Sequence, residues 1–376
     1  MRSYSQSISH TRKRRQCLLR FFSTLCLFIY LSLSSIPSNA DTKKLIDNFQ
    51  NQMSSGDTYG AKDTLSEVRR DIDNIDDDEQ KTLILTAVLD GYIVLQDFEK
   101  AGESIEQIQE NLLRIGPDFH SLKSLAHLKI SHAYQFFNDI VSASASSELA
   151  LENYQRGGKT PPHIEPLLLE NKARILIYAG YMQEAEKLIN QTLAIRSRLF
   201  GVNHPSISIS LNDLAGFYLA NSQFDEAERA LNRSREIALD RLPGTENILT
   251  SAEAQLGQVL LALGKPLEAI EHFEAALSYA KKIKGNSETI IADIGAQLSK
   301  ALASIGNYRD ALKILDVSIQ SRIKNNTPIN SSLIGYILTY AEIAEIAGLN
   351  EEYTSATQAL KNILDTERNL PTLIGS

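Results

Sequence analysis

Four polar side chains recur at a constant spacing, and their chemistry suits the recognition of a peptide backbone. They stand 42 residues apart, at Asn171, Asp213, Gln255 and Gln297. Three of the four are amides, and an amide side chain offers both a hydrogen-bond donor and an acceptor. A ladder of such groups can therefore pair with the main chain of an extended peptide and leave the choice of its side chains to neighbouring pockets.

Further polar residues follow the same spacing around this ladder. The column one residue earlier is mixed and holds Glu170, Asn212, Ala254 and Ala296. Three or more residues after the ladder stand Arg174, Tyr178, Gln258 and Lys300. Two interpretations stay open: these residues contact a ligand, or they are ordinary polar positions on a solvated helix face.

Residue sets for other kinds of chemistry are incomplete. The acidic run at 71–79 places Ile75 where a calcium-binding loop needs an oxygen ligand. His127 and His132 are five residues apart, so they do not share a helix face as a metal-binding pair four residues apart does. The segment 157–160 ends like a phosphate-binding loop but lacks the earlier glycine. We therefore expect no catalytic site, no cofactor and no metal, and we predict that the protein is not an enzyme.

The polar ladder belongs to a repeat of 42 residues. A small residue is followed five positions later by alanine at Gly180/Ala185, Ser222/Ala227, Gly264/Ala269 and Gly306/Ala311. The same register extends backwards to Ala143 and Ala101. A fixed period of this length indicates a stack of one supersecondary unit. The alanine column is expected to mark a close contact between two helices.

Each repeat is predicted to be a helical hairpin. The segment 206–241 shows this most clearly. Apolar residues follow a helical spacing over 207–219 and again over 224–238, and residues 221–223 separate the two patterns. Ser206 is the expected N-cap of the first helix. A short break of this kind makes the two helices antiparallel neighbours. The predicted fold is all-α, an α-α superhelix (solenoid) of about eight 42-residue helical hairpins.

Two motifs carry a family resemblance. Leu211–Glu228 has the pattern L-x-x-L-A-x-x-Y-x-x-x-S-x-F-x-E-A-E, which resembles the tetratricopeptide repeat. The period of 42 and the turn Leu199–Pro205 resemble the kinesin-light-chain subtype of that repeat. HEAT and armadillo repeats have similar lengths, but Gly306–Ala311 favours the tetratricopeptide interpretation.

The resemblance sets the expected domain limits and the expected site. Within a solenoid at 41–366 it is weaker over 41–162, clearest over 163–325 and weak in the last repeat, 330–366; a tail follows at 367–376. The resemblance implies that the first helix of each repeat lines a concave groove, so that the polar residues named above would face a bound peptide. It also implies that Asn212 holds the backbone of the ligand.

Residues 1–40 are predicted to be a secretory signal peptide. The basic cluster Arg12–Arg15 precedes an uncharged run, Phe21–Ile36, and small residues end at Ala40. The alternative is a signal anchor that stays attached to the chain. We expect an extracytoplasmic protein, periplasmic or secreted, that is not inserted in the membrane after cleavage.

The charge balance narrows the class of partner. The chain has a formal net charge of −8, and an acidic surface does not follow phosphate backbones, so nucleic acid is not expected. The leading hypothesis is a non-catalytic exported scaffold that binds a peptide or partner protein in the concave groove, with oligomerisation left open. The alternative is a structural subunit of a cell-envelope assembly that contacts its partners through repeat edges or ends.

Overall fold

A computed structural model describes residues 44–49, 52, 58–95, 97–157, 161–283, 287–324 and 331–368. The predicted signal peptide, and the tail after residue 368, lie outside these described residues. Within them all regular structure is helical and no strand occurs. The predicted all-α fold is confirmed.

The helices fall into two compact units. Unit 1 holds a short helical segment at 44–49 and nine longer helices: α1 Thr58–Asp73, α2 Asp78–Val94, α3 Phe98–Arg114, α4 His120–Phe136, α5 Ile140–Arg156, α6 Glu165–Ala179, α7 Met182–Phe200, α8 Pro205–Ala220 and α9 Phe224–Leu239. Unit 2 holds α10 Glu246–Ala262, α11 Pro266–Ala280, α12 Glu288–Ser304, α13 Tyr308–Lys324, α14 Ser331–Ile346 and α15 Asn350–Arg368.

Consecutive helices pair as hairpins in both units. The pairs are α2/α3, α4/α5, α6/α7 and α8/α9 in unit 1, and α10/α11, α12/α13 and α14/α15 in unit 2. Short turns join the two helices of each pair, which makes them antiparallel neighbours. The repeat seen in the sequence is therefore one hairpin, and its first helix carries the polar ladder.

The alanine column lies at the contact inside each hairpin. Its members are all fully buried: Ala101, Ala143, Ala185, Ala227, Ala269 and Ala311. A larger side chain at this position would push the two helix axes apart. Four residues later the column is buried and apolar, as in Leu231 and Phe273, except at Ser147 in α5. There a buried hydroxyl replaces an apolar side chain.

The small residue in the hairpin turn is required by the backbone. Gly180, Gly264, Gly306 and Gly348 have positive φ, between 71° and 90°. An added Cβ at any of them would meet no atom within 4 Å, so lack of space is not the reason for glycine. The reason is the left-handed backbone conformation, which glycine adopts without steric cost. Asn138 and Ser222 fill the same repeat position with φ of 61° and 59°.

The N-cap of α8 differs from the prediction. We expected Ser206, but the helix begins at Pro205 and its N-cap is His204. Proline fills the first helical position because it has no N–H to leave unsatisfied, and the cap therefore lies two residues earlier than expected. The His204 Nδ1 atom accepts from the Ser206 N–H at 3.2 Å. The ring also stacks on Phe200, with ring centroids 4.9 Å apart.

Candidate functional site

The first helices of unit 1 share one register. Three hydrogen bonds each join residues 40 apart. Two lie between successive first helices, from Asn171 to Ser131 and from Ser210 to Glu170, and the third joins Tyr178 of α6 to Asn138 in the turn after α4. Since the offset stays at 40 along α4 and α6, these helices run parallel. Each residue of one first helix therefore faces the residue about 40 positions later on the next. We call the polar side chains along α2, α4, α6 and α8 the unit 1 row.

An ion pair lies inside the unit 1 row between α2 and α4. The Lys129 ammonium donates to Asp90 Oδ2, and the side chains are 5% and 1% exposed. Taking both charges out of water is expensive, so loss of either partner would leave an uncompensated buried charge. The pair joins residues 39 apart and holds two repeats together.

Asn171 is also buried between repeats. Its Nδ2 donates to Ser131 Oγ at 2.9 Å, and its Oδ1 accepts from Gln135 Nε2 at 2.5 Å. Both hydrogen-bonding functions of the amide thus serve contacts between α6 and α4. A ligand contact by Asn171 stays a prediction, and the structure gives this residue a packing role.

A second buried ion pair joins the hairpin α6/α7. The Arg196 guanidinium, from α7, binds both carboxylate oxygens of Glu170, with Nη2 to Oε2 at 2.8 Å. Arg196 also donates to Ser210 Oγ, and the Ser210 hydroxyl donates to Glu170 at 3.0 Å. The Arg196 and Glu170 side chains are 4% and 8% exposed. The cluster connects one hairpin to the first helix of the next.

Beside this cluster lie Arg174 and Asp213, both half-buried. Burial, and next the Glu170 carboxylate, raise the pKa of Asp213 to about 7, while Arg174 and Arg196 act in the opposite direction. Burial also lowers the pKa of His132, on α4, well below its usual range, and the charges of Arg174 and Lys129 add to that effect. His132 is therefore neutral at physiological pH.

The remaining predicted residues of unit 1 differ in accessibility. Asn212 is buried on α8, whereas Tyr178 is half-buried at the end of α6. The Tyr178 hydroxyl donates to Asn138 Oδ1 at 2.9 Å. Arg174, Asp213 and Tyr178 are the predicted residues of this unit that keep part of their surface open.

Unit 2 has its own set of predicted residues on α10 and α12. Gln255 is buried, and its Nε2 donates to Ser251 Oγ at 3.1 Å. Gln258, Gln297 and Lys300 are half-buried. We call these four residues the unit 2 row.

A third buried cluster lies in unit 2. The sequence analysis did not predict it, and it did not predict the Lys129–Asp90 and Arg196–Glu170 pairs either. The Arg322 guanidinium from α13 binds Asp293 Oδ1 at 2.6 Å, and the Tyr336 hydroxyl donates to the same oxygen. Burial, and next Asp293, raise the pKa of Tyr336. Arg322 stands 126 residues after Arg196, which is three periods. One sequence signal could have indicated these clusters. Arg196 and Arg322 stand at a repeat position that is otherwise occupied by Leu112, Tyr154, Ala238 and Ala280.

Comparison with known proteins places the centre of the chain in a family of repeats. Residues 165–240, which include α6–α9, match the tetratricopeptide repeat. A curated relative, the RxLR effector protein SFI4 of Phytophthora infestans, is 24% identical over 151 residues, 40% of this chain and 44% of that protein. The chain thus spans less than half the length of the relative.

Solved structures share the fold of this chain over most of its length. A Rap protein complexed with competence and sporulation factor has a TM-score of 0.57 at 13% identity, over 87% of this chain and 99% of that one. NprR in complex with its cognate peptide NprX has a TM-score of 0.55 at 15% identity, over 89% of this chain and 95% of that one. At these identities the likeness shows a shared fold.

Two features of the described residues bear on other functions. No helix in this part of the chain combines the length and the apolar character needed to cross a membrane. Among the same residues no group of three or more His, Cys, Asp or Glu side chains is placed to hold a metal ion.

Proposed function

We propose that the chain is a non-catalytic, exported scaffold that binds an extended peptide or a partner protein along its first helices. The observation that supports this proposal is the shared register of the first helices in unit 1, along which Arg174, Tyr178 and Asp213 each keep part of their surface open to solvent. An extended chain laid across such helices meets polar groups at regular intervals. Gln258, Gln297 and Lys300 offer a similar set in unit 2.

The buried members of the two rows have a different part in this proposal. Asn171 and the Asp90–Lys129 pair hold repeats together, and Asn212 and Gln255 are nearly covered. We assign ligand contact to the half-buried residues and assign shape and rigidity to the buried ones. A preformed surface lowers the entropic cost of binding because it does not need to be ordered first.

The fold supports a peptide ligand by analogy. NprR, which shares the fold, has been solved with its cognate peptide, so this arrangement of helices can hold a peptide. The identity of 15% leaves the ligand of the present chain open, and a partner protein with an extended segment fits the same surface.

Export is proposed from residues 1–40. Their basic cluster, uncharged run and small residues ending at Ala40 form the pattern of a secretory signal peptide. Mass spectrometry of the native protein tests this directly. An N-terminus at residue 41 supports cleavage, whereas an intact leader in a membrane fraction indicates the signal anchor.

The binding proposal is tested by capture of partners on the full chain and on matched variants. Arg174→Gln and Tyr178→Phe change the unit 1 row, while Arg198→Gln removes an exposed cation from the second helix α7. Loss of one specific partner from both row variants, with retention by Arg198→Gln and unchanged melting temperatures, is the expected result. Retention of that partner by every variant would contradict binding at the unit 1 row.

One observation favours the second candidate function, a structural subunit of a cell-envelope assembly. At the hairpin-turn edge of unit 1 the Phe98 ring lies 5.6 Å from Phe136 and 6.0 Å from Phe137, and Phe98 is 42% exposed. Exposed aromatic clusters are frequent at protein interfaces. Phe98→Ser distinguishes the two candidates, because loss of the partner in this variant alone favours binding at the edge.

A further inference from the structure

We propose that the exposed face of α5 docks an amphipathic helix of a partner protein, one that carries an apolar ridge flanked by Lys or Arg side chains. The contact residues in this chain are Val141, Ala145 and Leu149, which we call the α5 strip. The inference goes beyond the proposed function, because the strip lies on a second helix, whereas the unit 1 row lies on the first helices.

The α5 strip is an exposed apolar ridge along one helix face. Its residues stand four apart, so they lie one above the other on the same side of α5. Val141 is 82% exposed and Leu149 is 42% exposed, and Ala145 between them is exposed as well. A single exposed apolar residue is common on a protein surface, whereas apolar residues that adjoin one another are typical of interaction sites.

The neighbouring repeats show that this apolar row departs from the pattern of the second helices. The same repeat positions elsewhere in unit 1 hold polar residues: Glu99, Glu103 and Gln107 on α3, Gln183, Lys187 and Gln191 on α7, and Asp225, Arg229 and Arg233 on α9. Polar residues are what the solvated face of a helix requires. The hairpin therefore does not need apolar side chains at these positions, and their presence on α5 calls for another role.

The spacing of the strip suits the packing of a second helix on it. Rows of residues four apart form the ridges that fit into the grooves of another helix, with the axes about 8–10 Å apart. Ala145 at the centre allows a close approach, while Val141 and Leu149 supply apolar area at either end. The two ends are eight residues apart, which is about 12 Å along the axis, so about two turns of a partner helix cover the strip.

The charges around the strip determine the chemistry of the partner. The α3 and α5 helices both pack against α4, so α3 is the neighbouring second helix on one side of the strip. These two helices expose their glutamates, which are Glu99, Glu103, Glu106 and Glu110 on α3, and Glu148 and Glu152 on α5. A helix with Lys or Arg beside its apolar ridge complements such a surface.

Only part of this negative charge is neutralised within the chain. Some glutamates have a nearby cation: Glu103 with Arg69, Glu110 with Arg114, and Glu152 with Arg156. The others, Glu99, Glu106 and Glu148, have no cation within ion-pair distance in the part of the chain that the structure describes. On α7, on the other side of the strip, the exposed residues Glu184 and Lys187 offset each other. The surface around the strip is therefore negative.

The same charges argue against a second copy of this chain as the occupant. A two-fold contact uses the same patch of both copies. Such a contact between two α5 strips would bring the Glu148 side chains and the acidic α3 surfaces of both copies to one interface. Like charges that meet across an interface disfavour association.

The test measures the binding of two fluorescently labelled peptides, ALKKALKKALKKAL and ALEEALEEALEEAL, to the full chain. Both peptides carry a leucine row at a spacing of four, and they differ only in the charge of the flanking residues. Fluorescence anisotropy is recorded at about 0.01 M and about 0.15 M ionic strength, between which the Debye length falls from about 30 Å to about 8 Å. The lysine peptide is expected to bind, more tightly at the lower ionic strength, and the glutamate peptide is not.

Matched variants locate the binding. Leu149→Ser removes apolar area from the strip and Ala145→Lys places a cation at its centre, so each is expected to weaken binding of the lysine peptide by at least about tenfold. Val317→Ser is the control, because Val317 is 63% exposed on α13 of unit 2 and stands 168 residues, four periods, after Leu149. The strip positions before Val317 hold Arg309 and Lys313, so this variant is expected to bind as the unaltered chain does. All three altered side chains are exposed, and melting temperatures are expected to stay unchanged.

Every outcome decides for or against the strip. Binding of neither peptide, equal binding of both, or equal binding by the unaltered chain, Leu149→Ser and Ala145→Lys each overturn the proposal. A dimer of the unaltered chain in analytical ultracentrifugation that is lost in Ala145→Lys would assign the strip to a second copy and overturn it as well. Failure here leaves the unit 1 row standing, because that row is tested separately by Arg174→Gln and Tyr178→Phe.

Discussion

Arg196 of unit 1 and Arg322 of unit 2 occupy the same repeat position, three periods apart, and differ in their surroundings. Each arginine lies on the second helix of a hairpin and donates to a carboxylate on the first helix of the same hairpin. It also donates to a hydroxyl on the first helix of the next hairpin. The carboxylate is Glu170 in unit 1 and Asp293 in unit 2. The side chain of Glu170 is 8% exposed and that of Asp293 is 30% exposed.

The two carboxylates differ in exposure because they stand at different positions of the repeat. Glu170 stands at the repeat position that is Ala296 in unit 2, while Asp293 lies one turn earlier on its helix and nearer to solvent. The hydroxyl is Ser210 in one cluster and Tyr336 in the other. The repeat position thus determines where the arginine lies in its hairpin. The position of the carboxylate determines how much of the ion pair is buried.

The largest effect is expected from Arg196→Met. This change leaves Glu170 buried without its cation, which costs about 3–5 kcal/mol in the free energy of unfolding. Urea unfolding at pH 7 measures the loss. Arg196→Met combined with Glu170→Gln should recover much of it, because no unpaired buried charge then remains. A loss below about 1 kcal/mol in the single variant would mean that the pair is not desolvated as the structure indicates.

Arg322→Met is expected to have a smaller effect. Asp293 keeps part of its hydration, so an unpaired carboxylate there costs about 1–3 kcal/mol. The same urea experiment, performed beside Arg196→Met, sharpens the comparison. A loss equal to or greater than that of Arg196→Met would show that exposure of the carboxylate does not control the cost.

Asp213→Asn should change how stability depends on pH. The pKa of Asp213 is about 7 in the folded chain, against about 3.9 in an unfolded one. The folded state then binds the proton more tightly, and stability falls as pH rises from about 4 to about 7. The asparagine variant lacks this slope. We expect unfolding free energies at pH 5 and pH 8 to favour the variant more at pH 8, and an equal difference at both pH values would contradict the raised pKa.

The smallest expected effects come from the two hydroxyls. Tyr336→Phe and Ser210→Ala each remove one hydrogen bond to a carboxylate, worth about 0.5–1.5 kcal/mol, or somewhat more where the acceptor is charged. Tyr336→Phe keeps the ring that packs 5.7 Å from the Arg322 guanidinium. Thermal melts of both variants compare the two clusters, and an unchanged melting temperature in both would show that these bonds add no net stability.

The fold could be predicted from residue types that recur every 42 residues. Contacts between residues at different positions of the repeat could not. The alanine column from Ala101 to Ala311 and the small turn residues are visible because each hairpin needs them at the same place. Lys129 and Asp90 stand in different columns, 39 residues apart, so comparison at intervals of 42 does not pair them. The offset between adjacent first helices becomes known only when the hairpins are stacked.

The sequence proposed the candidate site residues from their types and spacing, but it did not predict how exposed each side chain is. Asn171 and Arg174 stand one turn apart on α6, and both were expected to meet a ligand. The structure buries Asn171 between repeats and leaves Arg174 half-buried. Burial depends on the neighbouring helix, because Ser131 and Gln135 of α4 cover the amide, and a single helix pattern does not contain that information.

Parallel capture by Arg174→Gln and Asn171→Ala, with melting temperatures recorded for both, tests the division between binding and packing residues most directly. The account predicts that Arg174→Gln loses the specific partner at an unchanged melting temperature. Asn171→Ala should melt earlier and still capture the partner below its transition. A partner retained by Arg174→Gln and lost by folded Asn171→Ala would contradict the account.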